Sequence, residues 1–178
     1  MRIIAGSRKG HKLHDFEGMD IRPTTDRVKE SIFNLIQEYI PDASCLDLFG
    51  GSGALSFEAL SRGAKSCVCV DIDQRSINVI KKNDEALGLD GLTIVREDAM
   101  QFLKKTEKKF SVIFLDPPYN KGFIAPVMSA VCDRDILSDD GIIMLESDFS
   151  DEHSEFSGLE IIKQRRYGRS FVTIYRKG

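Results

Sequence analysis

Several features that define large classes of proteins are missing from this sequence of 178 residues. No apolar run approaches the ~20 residues that a membrane span requires, and the apolar start is too short for a signal peptide. The four cysteines include no Cys-x-x-Cys pair, so we expect buried free thiols and no metal site. The three histidines form no catalytic cluster. Because repeats, linkers and low-complexity segments are also absent, we expect a single cytoplasmic domain.

Charge is distributed unevenly along the chain, although the formal net charge is only −3. Residues 1–14 and 163–178 carry ten basic residues and no acidic one, whereas all 28 acidic residues lie between them. This asymmetry suggests a polyanionic partner that touches the two ends of the chain. Basic tails that only improve solubility are the alternative interpretation.

From residue 44 onward, short apolar runs alternate with helical patterns, which is typical of a parallel doubly wound sheet. The predicted strands are residues 44–48, 66–72, 92–95, 112–115 and 141–146. The predicted helices between them are residues 54–61, 75–87, 99–104 and 123–132. A final hairpin, residues 159–166 and 171–176, adds one antiparallel strand. We therefore predict an α/β, Rossmann-like core over residues 42–178.

Residues 1–41 are predicted to extend this core with a small β-hairpin and a helix. The hairpin has a basic turn at residues 6–10. Thr24, Thr25 and Asp26 are candidate N-caps of the helix.

Three cations, Arg22, Arg27 and Lys29, lie near the start of this helix. Cations oppose the macrodipole at a helix N-terminus. We therefore expect an anionic ligand close to them.

The stretch that most strongly suggests chemistry is Asp116-Pro117-Pro118-Tyr119, which follows the fourth predicted strand. Two prolines fix φ and donate no N–H, so the strand must end there. The loop places a carboxylate and an aromatic ring at the carboxyl edge of the sheet, where ligands bind in open α/β folds. A carboxylate and a carbonyl can accept from an exocyclic amino group while a ring stacks on the base. An ordinary polar turn is the alternative.

The stretch from Asp47 to Gly53, Asp-Leu-Phe-Gly-Gly-Ser-Gly, has the strand–glycine-loop–helix context of a nucleotide-type cofactor site. A plain tight turn remains possible on this signal alone. An NAD fingerprint is disfavoured, because Ser56 replaces its third glycine and Asp47 opposes a pyrophosphate. The carboxylate of Asp47 suits the ammonium of an amino acid.

Two further acids end the second and third predicted strands. Asp71 lies about 20 residues after the glycine loop, where an acid binds ribose hydroxyls, and Asp73 is its neighbouring alternative. Asp98 can accept from an adenine amino group. Each acid alone is more often a helix cap or a surface residue. Together with Asp47 they outline the amine, ribose and adenine of S-adenosylmethionine.

At this point the sequence resembles class I methyltransferases, and specifically the bacterial family that methylates N2 of one guanine in 16S rRNA of the small ribosomal subunit. The resemblance spans nearly the whole chain. It is carried by residues 2–6, 22–30, 46–55, 58–64, 116–119 and 167–168.

The resemblance implies S-adenosylmethionine as cofactor and gives roles to the loop residues. Asp116 and the Pro117 carbonyl accept from the guanine amino group, Pro118 stiffens the loop, and Tyr119 stacks on the base. The implied cofactor-binding residues are Asp47, Phe49, Gly51, Gly53, Asp71, Asp98, Ala99 and Thr24. Gly50 stands where the family usually has alanine, and Asp71 where it often has glutamate.

We expect 16S rRNA or the small ribosomal subunit as partner of a monomeric enzyme. The candidate RNA contacts are Arg8, Lys9, Lys12, Arg22, Arg27, Arg165, Arg166 and Arg169. Two alternatives remain open. A DNA adenine-N6 methyltransferase can share the Asp-Pro-Pro-Tyr loop but usually carries an added recognition domain, and a binding module can keep S-adenosylmethionine without catalysis.

Overall fold

The computed structural model describes residues 1–16, 25–119, 122–148 and 155–178, and its strands form one seven-stranded sheet. The strands are β1 (Ser44–Asp47), β2 (Ser66–Asp71), β3 (Leu92–Arg96), β4 (Phe110–Leu115), β5 (Leu137–Asp148), β6 (Leu159–Tyr167) and β7 (Ser170–Lys177). Their order is β3-β2-β1-β4-β5-β7-β6. Strands β1 to β5 are parallel, and β7 is antiparallel to both β5 and β6. The predicted α/β sheet with one antiparallel strand is confirmed.

The order of the strands positions the site. Strand β1 lies between β2 and β4, so the chain moves outward in one direction from β1 to β3 and then returns to β4 on the other side. Such a reversal leaves a crevice outside the carboxyl ends of the two central strands. The loops that follow β1 and β4 are the glycine-rich loop and the Asp-Pro-Pro-Tyr loop, so both lie at this crevice.

Among the described residues, five α-helices accompany the strands, and the four that lie between strands have bounds within one residue of the prediction. The five helices are α1 (Asp26–Leu35), α2 (Ala54–Ser61), α3 (Gln74–Leu87), α4 (Ala99–Lys105) and α5 (Ile124–Asp133). Among the predicted N-caps of α1, Thr25 takes the role, since its hydroxyl accepts from the backbone N–H of Val28 at 3.3 Å. Thr24 and Arg22 lie outside the described residues.

Strand β5 is longer than the apolar run that predicted it. It begins at Leu137, which pairs with Phe110, and continues through the polar residues 138–140 before the buried part starts at Gly141. The β4–β5 pairing shifts register here, because the partners of Phe110 and Val112 are Leu137 and Ile142, and the additional residues lie in β5. The apolar pattern of the sequence predicts only the buried part of the strand.

The core has one layer on each face of the sheet, because neighbouring residues of a strand point to opposite faces. In β1, Leu46 packs in the layer that contains residues of α4 and α5, and Cys45 packs in the layer that contains residues of α1 and α2. Cys45, Cys67 and Cys69 are buried free thiols, as predicted, and Cys132 is half-buried.

The predicted N-terminal hairpin is a single antiparallel bridge between Arg2 and Lys12. Its turn packs tightly on the end of α2, where a Cβ at Gly6 would lie 1.8 Å from the Ser61 carbonyl oxygen. Gly6 has φ +84°, which a residue with a side chain rarely adopts. Close backbone approach therefore requires glycine at this position.

The prediction that Lys29 marks an anionic ligand is wrong. Its side chain is fully buried, with Nζ 3.2 Å from Oε2 of Glu58 and donating to the Arg2 carbonyl at 2.6 Å. Glu58 also accepts from the backbone N–H groups of Ile4 and Ala5. Burial lowers the pKa of Lys29, while Glu58 opposes the change. Lys29 holds the N-terminal segment to α2.

No helix in the described ranges is long and apolar enough to cross a membrane. Over the same part of the chain, histidine, cysteine and acidic side chains form no cluster suited to a metal ion.

Candidate functional site

A cavity of about 520 Å³ opens at the carboxyl ends of β1 to β4. Seven carboxylates line it, and none of its lining residues among the described ones is Lys, Arg or His. The acidic residues are Asp15, Asp47, Asp71, Asp73, Glu97, Asp98 and Asp116. Charge of one sign in a concave site raises the local concentration of ligands of opposite sign. The cavity therefore favours a cationic ligand and opposes a phosphate.

Asp47 provides the most specific feature of the cavity. Its side chain is buried, and Oδ2 accepts a 2.7 Å hydrogen bond from the hydroxyl of Ser56. Oδ1 is also buried and has no hydrogen-bond partner among the described residues. Burial raises the pKa of Asp47 to about 6, and the Ser56 hydrogen bond opposes this rise. An unpartnered buried carboxylate oxygen at a cavity wall fits a ligand with an ammonium group.

Ser56 therefore has a function that the sequence pattern did not show. The sequence places it where a dinucleotide site has its third glycine. In the structure it is fully buried and orients the Asp47 carboxylate. A serine hydroxyl at this position supports a cationic ligand group instead of a pyrophosphate.

The glycine loop is held in place by Asp71. Its Oδ2 accepts from the backbone N–H of Gly51 at 2.9 Å, and its Oδ1 accepts from that of Asp73 at 2.8 Å. Each carboxylate oxygen has a second lone pair, so Asp71 can also accept from ribose hydroxyls. Gly51 and Gly53 have φ of +55° and +80°, which explains why the turn uses glycine.

Gly50 is packed against β2 and α3. A Cβ at this position would lie 2.4 Å from Sγ of Cys69 and 3.3 Å from Cδ1 of Ile80. The side chain of Cys69 therefore occupies the space that an alanine side chain at position 50 would need. This contact explains why glycine occupies this position.

The acid that ends β3 both caps a helix and lines the cavity. Oδ1 of Asp98 accepts from the backbone N–H of Gln101 at 3.1 Å, so it is the N-cap of α4, and Ala99 is the first residue of that helix. Asp73 caps α3 in the same way, through the N–H of Arg75. Asp98 can therefore cap α4 and contact a ligand in the cavity with the same side chain.

Ile72 is a lining residue that the sequence analysis missed. It follows Asp71 and leaves 64% of its surface exposed, although it is a large aliphatic residue. An aliphatic side chain between the ribose-binding candidate Asp71 and the helix-cap residue Asp73 provides an apolar surface for a flat ring. The signal in the sequence is an isolated isoleucine between two acids at the end of a strand.

All four residues of the Asp-Pro-Pro-Tyr loop line the cavity. The hydroxyl of Tyr119 donates to Oε1 of Glu146 at 2.9 Å and lies 3.0 Å from Oγ of Ser170. Burial raises the pKa of Tyr119, and the charges of Glu146 and Asp116 add to this rise. The rings of Phe49 and Phe123, both at the cavity, are in tilted contact with centroids 5.8 Å apart.

The N-terminal segment closes one side of the cavity, through Met1, Asp15 and Phe16. Asn83 of α3, which is fully buried, connects this segment to the glycine loop. Its Oδ1 accepts from the N–H of His14 at 2.6 Å, and its Nδ2 donates to the carbonyls of His14 and Ser52 at 3.0 Å. None of these residues was expected at the site, because nothing in the local sequence links residues 14 and 83.

The predicted RNA contacts have different environments. Arg8 donates to the carbonyls of Leu87 and Gly88 at the end of α3, at 2.6 and 3.2 Å, which gives it a structural role instead of a surface one. The others in the described ranges are exposed and lie near the start of the chain or at the β6–β7 turn. They are Lys9, Lys12, Arg27, Arg165, Arg166 and Arg169.

Comparison with known proteins agrees with this geometry. A family model described as "Conserved hypothetical protein 95" matches residues 1–176. YlbH of Bacillus subtilis is 42% identical over 182 residues, which cover 99% of each chain. "Ribosomal RNA small subunit methyltransferase D" of Haemophilus influenzae is 38% identical, over 83% of this chain and 79% of that protein. The solved structure of yhhF from Escherichia coli has a TM-score of 0.91 and 32% identity, and covers 99% of this chain and 97% of that one. The chain therefore belongs to the Conserved hypothetical protein 95 family, with the fold of class I methyltransferases.

Proposed function

We propose that this protein transfers a methyl group from S-adenosylmethionine to the exocyclic N2 amino group of a guanine in 16S rRNA of the small ribosomal subunit. The observation that carries the proposal is the shared cavity. The buried, unpartnered oxygen of Asp47 and the Asp116–Tyr119 loop line the same 520 Å³ space. Relatives named ribosomal RNA small subunit methyltransferase D, 37–38% identical over 83% of this chain, support the rRNA substrate.

The residues present fit the cofactor. Oδ1 of Asp47 is suited to its ammonium group, Asp71 to the ribose hydroxyls, and Asp98 to the adenine amino group. When bound, S-adenosylmethionine supplies an electrophilic methyl group on a positively charged sulfur. The acidic lining of the cavity stabilises that positive charge. The same lining disfavours a nicotinamide dinucleotide, whose pyrophosphate is negative.

The loop residues prepare the amino group for transfer. The lone pair of a guanine amino nitrogen is delocalised into the ring, so the nitrogen is a poor nucleophile. The Asp116 carboxylate and the Pro117 carbonyl each accept a hydrogen bond from one N–H of the amino group. These two bonds direct the lone pair of the nitrogen into the cavity, while Tyr119 stacks on the base. Positioning and electrostatics supply the rate enhancement. Once the N–C bond has formed the nitrogen is cationic and acidic, and it passes its extra proton to the Asp116 carboxylate or to water, so Asp116 need not be a strong base.

Two groups of exposed cations lie close in the chain to residues at the cavity and suit the RNA backbone. In the first group, Arg2 and Lys12 form the β-bridge of the N-terminal segment, whose first residue, Met1, lines the cavity. In the second group, Arg169 directly precedes Ser170, which contacts Tyr119. Since phosphates are repelled by the cavity itself, these cations bind the backbone while one base enters. The target guanine must be single-stranded or flipped out of a helix to reach the loop.

The first test is methyl transfer from labelled S-adenosylmethionine to small ribosomal subunits that lack the modification. Naked 16S rRNA and duplex DNA are assayed in parallel, each with the wild type and with Asp116→Ala. We expect label in ribosomal RNA and its loss in the variant, with cofactor affinity retained. Label in DNA would favour the adenine-N6 alternative, and cofactor binding without any transfer would favour a binding module.

A further inference from the structure

The hydroxyl of Tyr119 contacts two side chains, one from β5 and one from β7. It donates to Oε1 of Glu146 at 2.9 Å and lies 3.0 Å from Oγ of Ser170. Both partners are buried, with 4% and 7% of their surfaces exposed. A phenol has one hydrogen to donate and lone pairs to accept with. Donation to Glu146 and acceptance from Ser170 therefore satisfy this hydroxyl completely.

The two partners are held rigidly by the antiparallel pair of β5 and β7. Glu146 pairs with Val172 and Asp148 pairs with Ser170, so Glu146 and Ser170 are diagonal neighbours on one face of the sheet. Both residues are paired in this ladder, Ser170 in its last pair, and both side chains are buried, which limits their freedom. The Tyr119 ring is thus fixed at both ends, by the proline-stiffened loop at its backbone and by two strands at its hydroxyl.

Ser170 also connects the ring to the β6–β7 hairpin. It is the first residue of β7 and directly follows Arg169 in the turn after β6. Arg165, Arg166 and Arg169 are exposed at this end of the hairpin. Ser170 therefore links the Tyr119 ring to the end of the hairpin that carries these cations.

We infer that Glu146 and Ser170 are positioning residues that set the orientation of the Tyr119 ring against the target base. The inference rests on the proposed function, because it needs a base in the cavity. A purely structural cross-link is the competing explanation. Positioning predicts an effect on turnover, since small displacements of a reacting group cost large factors in rate.

The test measures kcat and KM for the RNA substrate with Tyr119→Phe, Ser170→Ala and the double variant. Each is expected to lower kcat about tenfold with little change in KM, because phosphate contacts supply most of the RNA affinity. The double variant should lose no more than Tyr119→Phe alone, since Tyr119→Phe already removes the contact with Ser170. Ser170→Thr, which keeps the hydroxyl, should restore kcat. Additive losses, or an unchanged kcat in Tyr119→Phe, would overturn the inference.

A matched control and a second readout separate the inference from the proposed function. Gln164 donates to Thr173 at 3.0 Å and so cross-links the same hairpin away from the loop. Gln164→Ala should leave kcat unchanged. In protein with isotope-labelled tyrosine, NMR without any substrate should show a shifted or broadened Tyr119 ring signal in Ser170→Ala but not in Gln164→Ala. An identical Tyr119 signal in Ser170→Ala and wild type would contradict the inference, whatever the substrate.

Discussion

The hydroxyl of Ser56 donates a 2.7 Å hydrogen bond to one oxygen of Asp47 and leaves the other oxygen buried at the cavity wall, with no partner among the described residues. A buried carboxylate in this state is unfavourable for the empty protein and favourable for a cationic ligand. The site is therefore arranged so that the ligand completes it. This relationship gives the most direct predictions about cofactor binding.

Asp47→Asn should weaken S-adenosylmethionine binding by roughly 10- to 100-fold, because it removes a charge-assisted hydrogen bond to the ammonium group. Isothermal titration calorimetry measures the loss. Asp133→Asn serves as control, because that carboxylate is exposed at the end of α5 and does not line the cavity. Equal affinity in Asp47→Asn and wild type would show that Asp47 does not contact the ligand.

The raised pKa of Asp47 predicts a dependence of stability on pH. Its pKa is about 6 in the folded protein against an ordinary value of 3.8, so the folded state binds the proton more tightly. This contribution to the free energy of unfolding is present below about pH 4 and falls by about 3 kcal/mol as the pH rises through 6. Denaturant unfolding measures the free energy of unfolding at pH 4.5 and at pH 7. Its decrease between the two pH values should be smaller in Asp47→Asn than in wild type. Identical pH profiles would contradict the raised pKa.

Gly50→Ala should destabilise the protein by about 1–3 kcal/mol, because the new Cβ would lie 2.4 Å from Sγ of Cys69. Cys69→Ala removes the sulfur, so the double variant should be more stable than the sum of the single effects predicts. Denaturant titration of the four proteins in the cycle measures the coupling. Strict additivity would mean that the backbone at Gly50, and not Cys69, excludes alanine.

Lys29 and Arg27 lie two residues apart on α1 and should behave in opposite ways. Lys29→Ala should cost about 3 kcal/mol of folding free energy, because it removes a fully buried ammonium from Glu58 and from the Arg2 carbonyl and leaves Arg62 as the remaining cation on Glu58. Arg27→Ala should leave stability nearly unchanged, since the side chain is exposed, but lower RNA affinity and reduce its dependence on salt. Thermal unfolding and filter binding at two salt concentrations separate the two outcomes. A stability loss in Arg27→Ala equal to that of Lys29→Ala would refute the distinction.

Asn83→Asp should weaken cofactor binding by about tenfold, because a carboxylate cannot donate to the carbonyls of Ser52 and His14. The N-terminal segment and the glycine loop then lose their common anchor. Asn78→Asp, at an exposed position on the same helix, is the matched control and should bind the cofactor like the wild type. Calorimetry compares the two, and an equal loss in both variants would point to helix charge instead of the anchor.

The sequence predicted those parts of the structure that depend on neighbouring residues. Apolar periodicity located the sheet, and turn residues at strand ends located Asp47, Asp71, Asp98 and the Asp116–Tyr119 loop. Each of these carboxylates comes to the cavity because parallel strands all end at one edge. Local patterns were sufficient for this part of the site.

The parts that were missed depend on contacts between distant residues. Lys29 forms an ion pair with Glu58, and Arg8 donates to the Leu87 carbonyl at the end of α3. The charge of these side chains alone does not reveal such contacts within the fold. Asn83 and Ser170 act through His14 and Tyr119, from which they are separated by 69 and 51 positions. Such partners become visible only when the chain has folded.

The most direct test of the account is the position of the transferred methyl group on the RNA base. After reaction of the wild type with unmodified small subunits, the RNA is digested and the labelled nucleoside is identified by chromatography and mass spectrometry. The account predicts N2-methylguanosine, because Asp116 and the Pro117 carbonyl are both acceptors for an exocyclic amino group. A methyl group on a ring nitrogen, on the ribose or on adenine would contradict it.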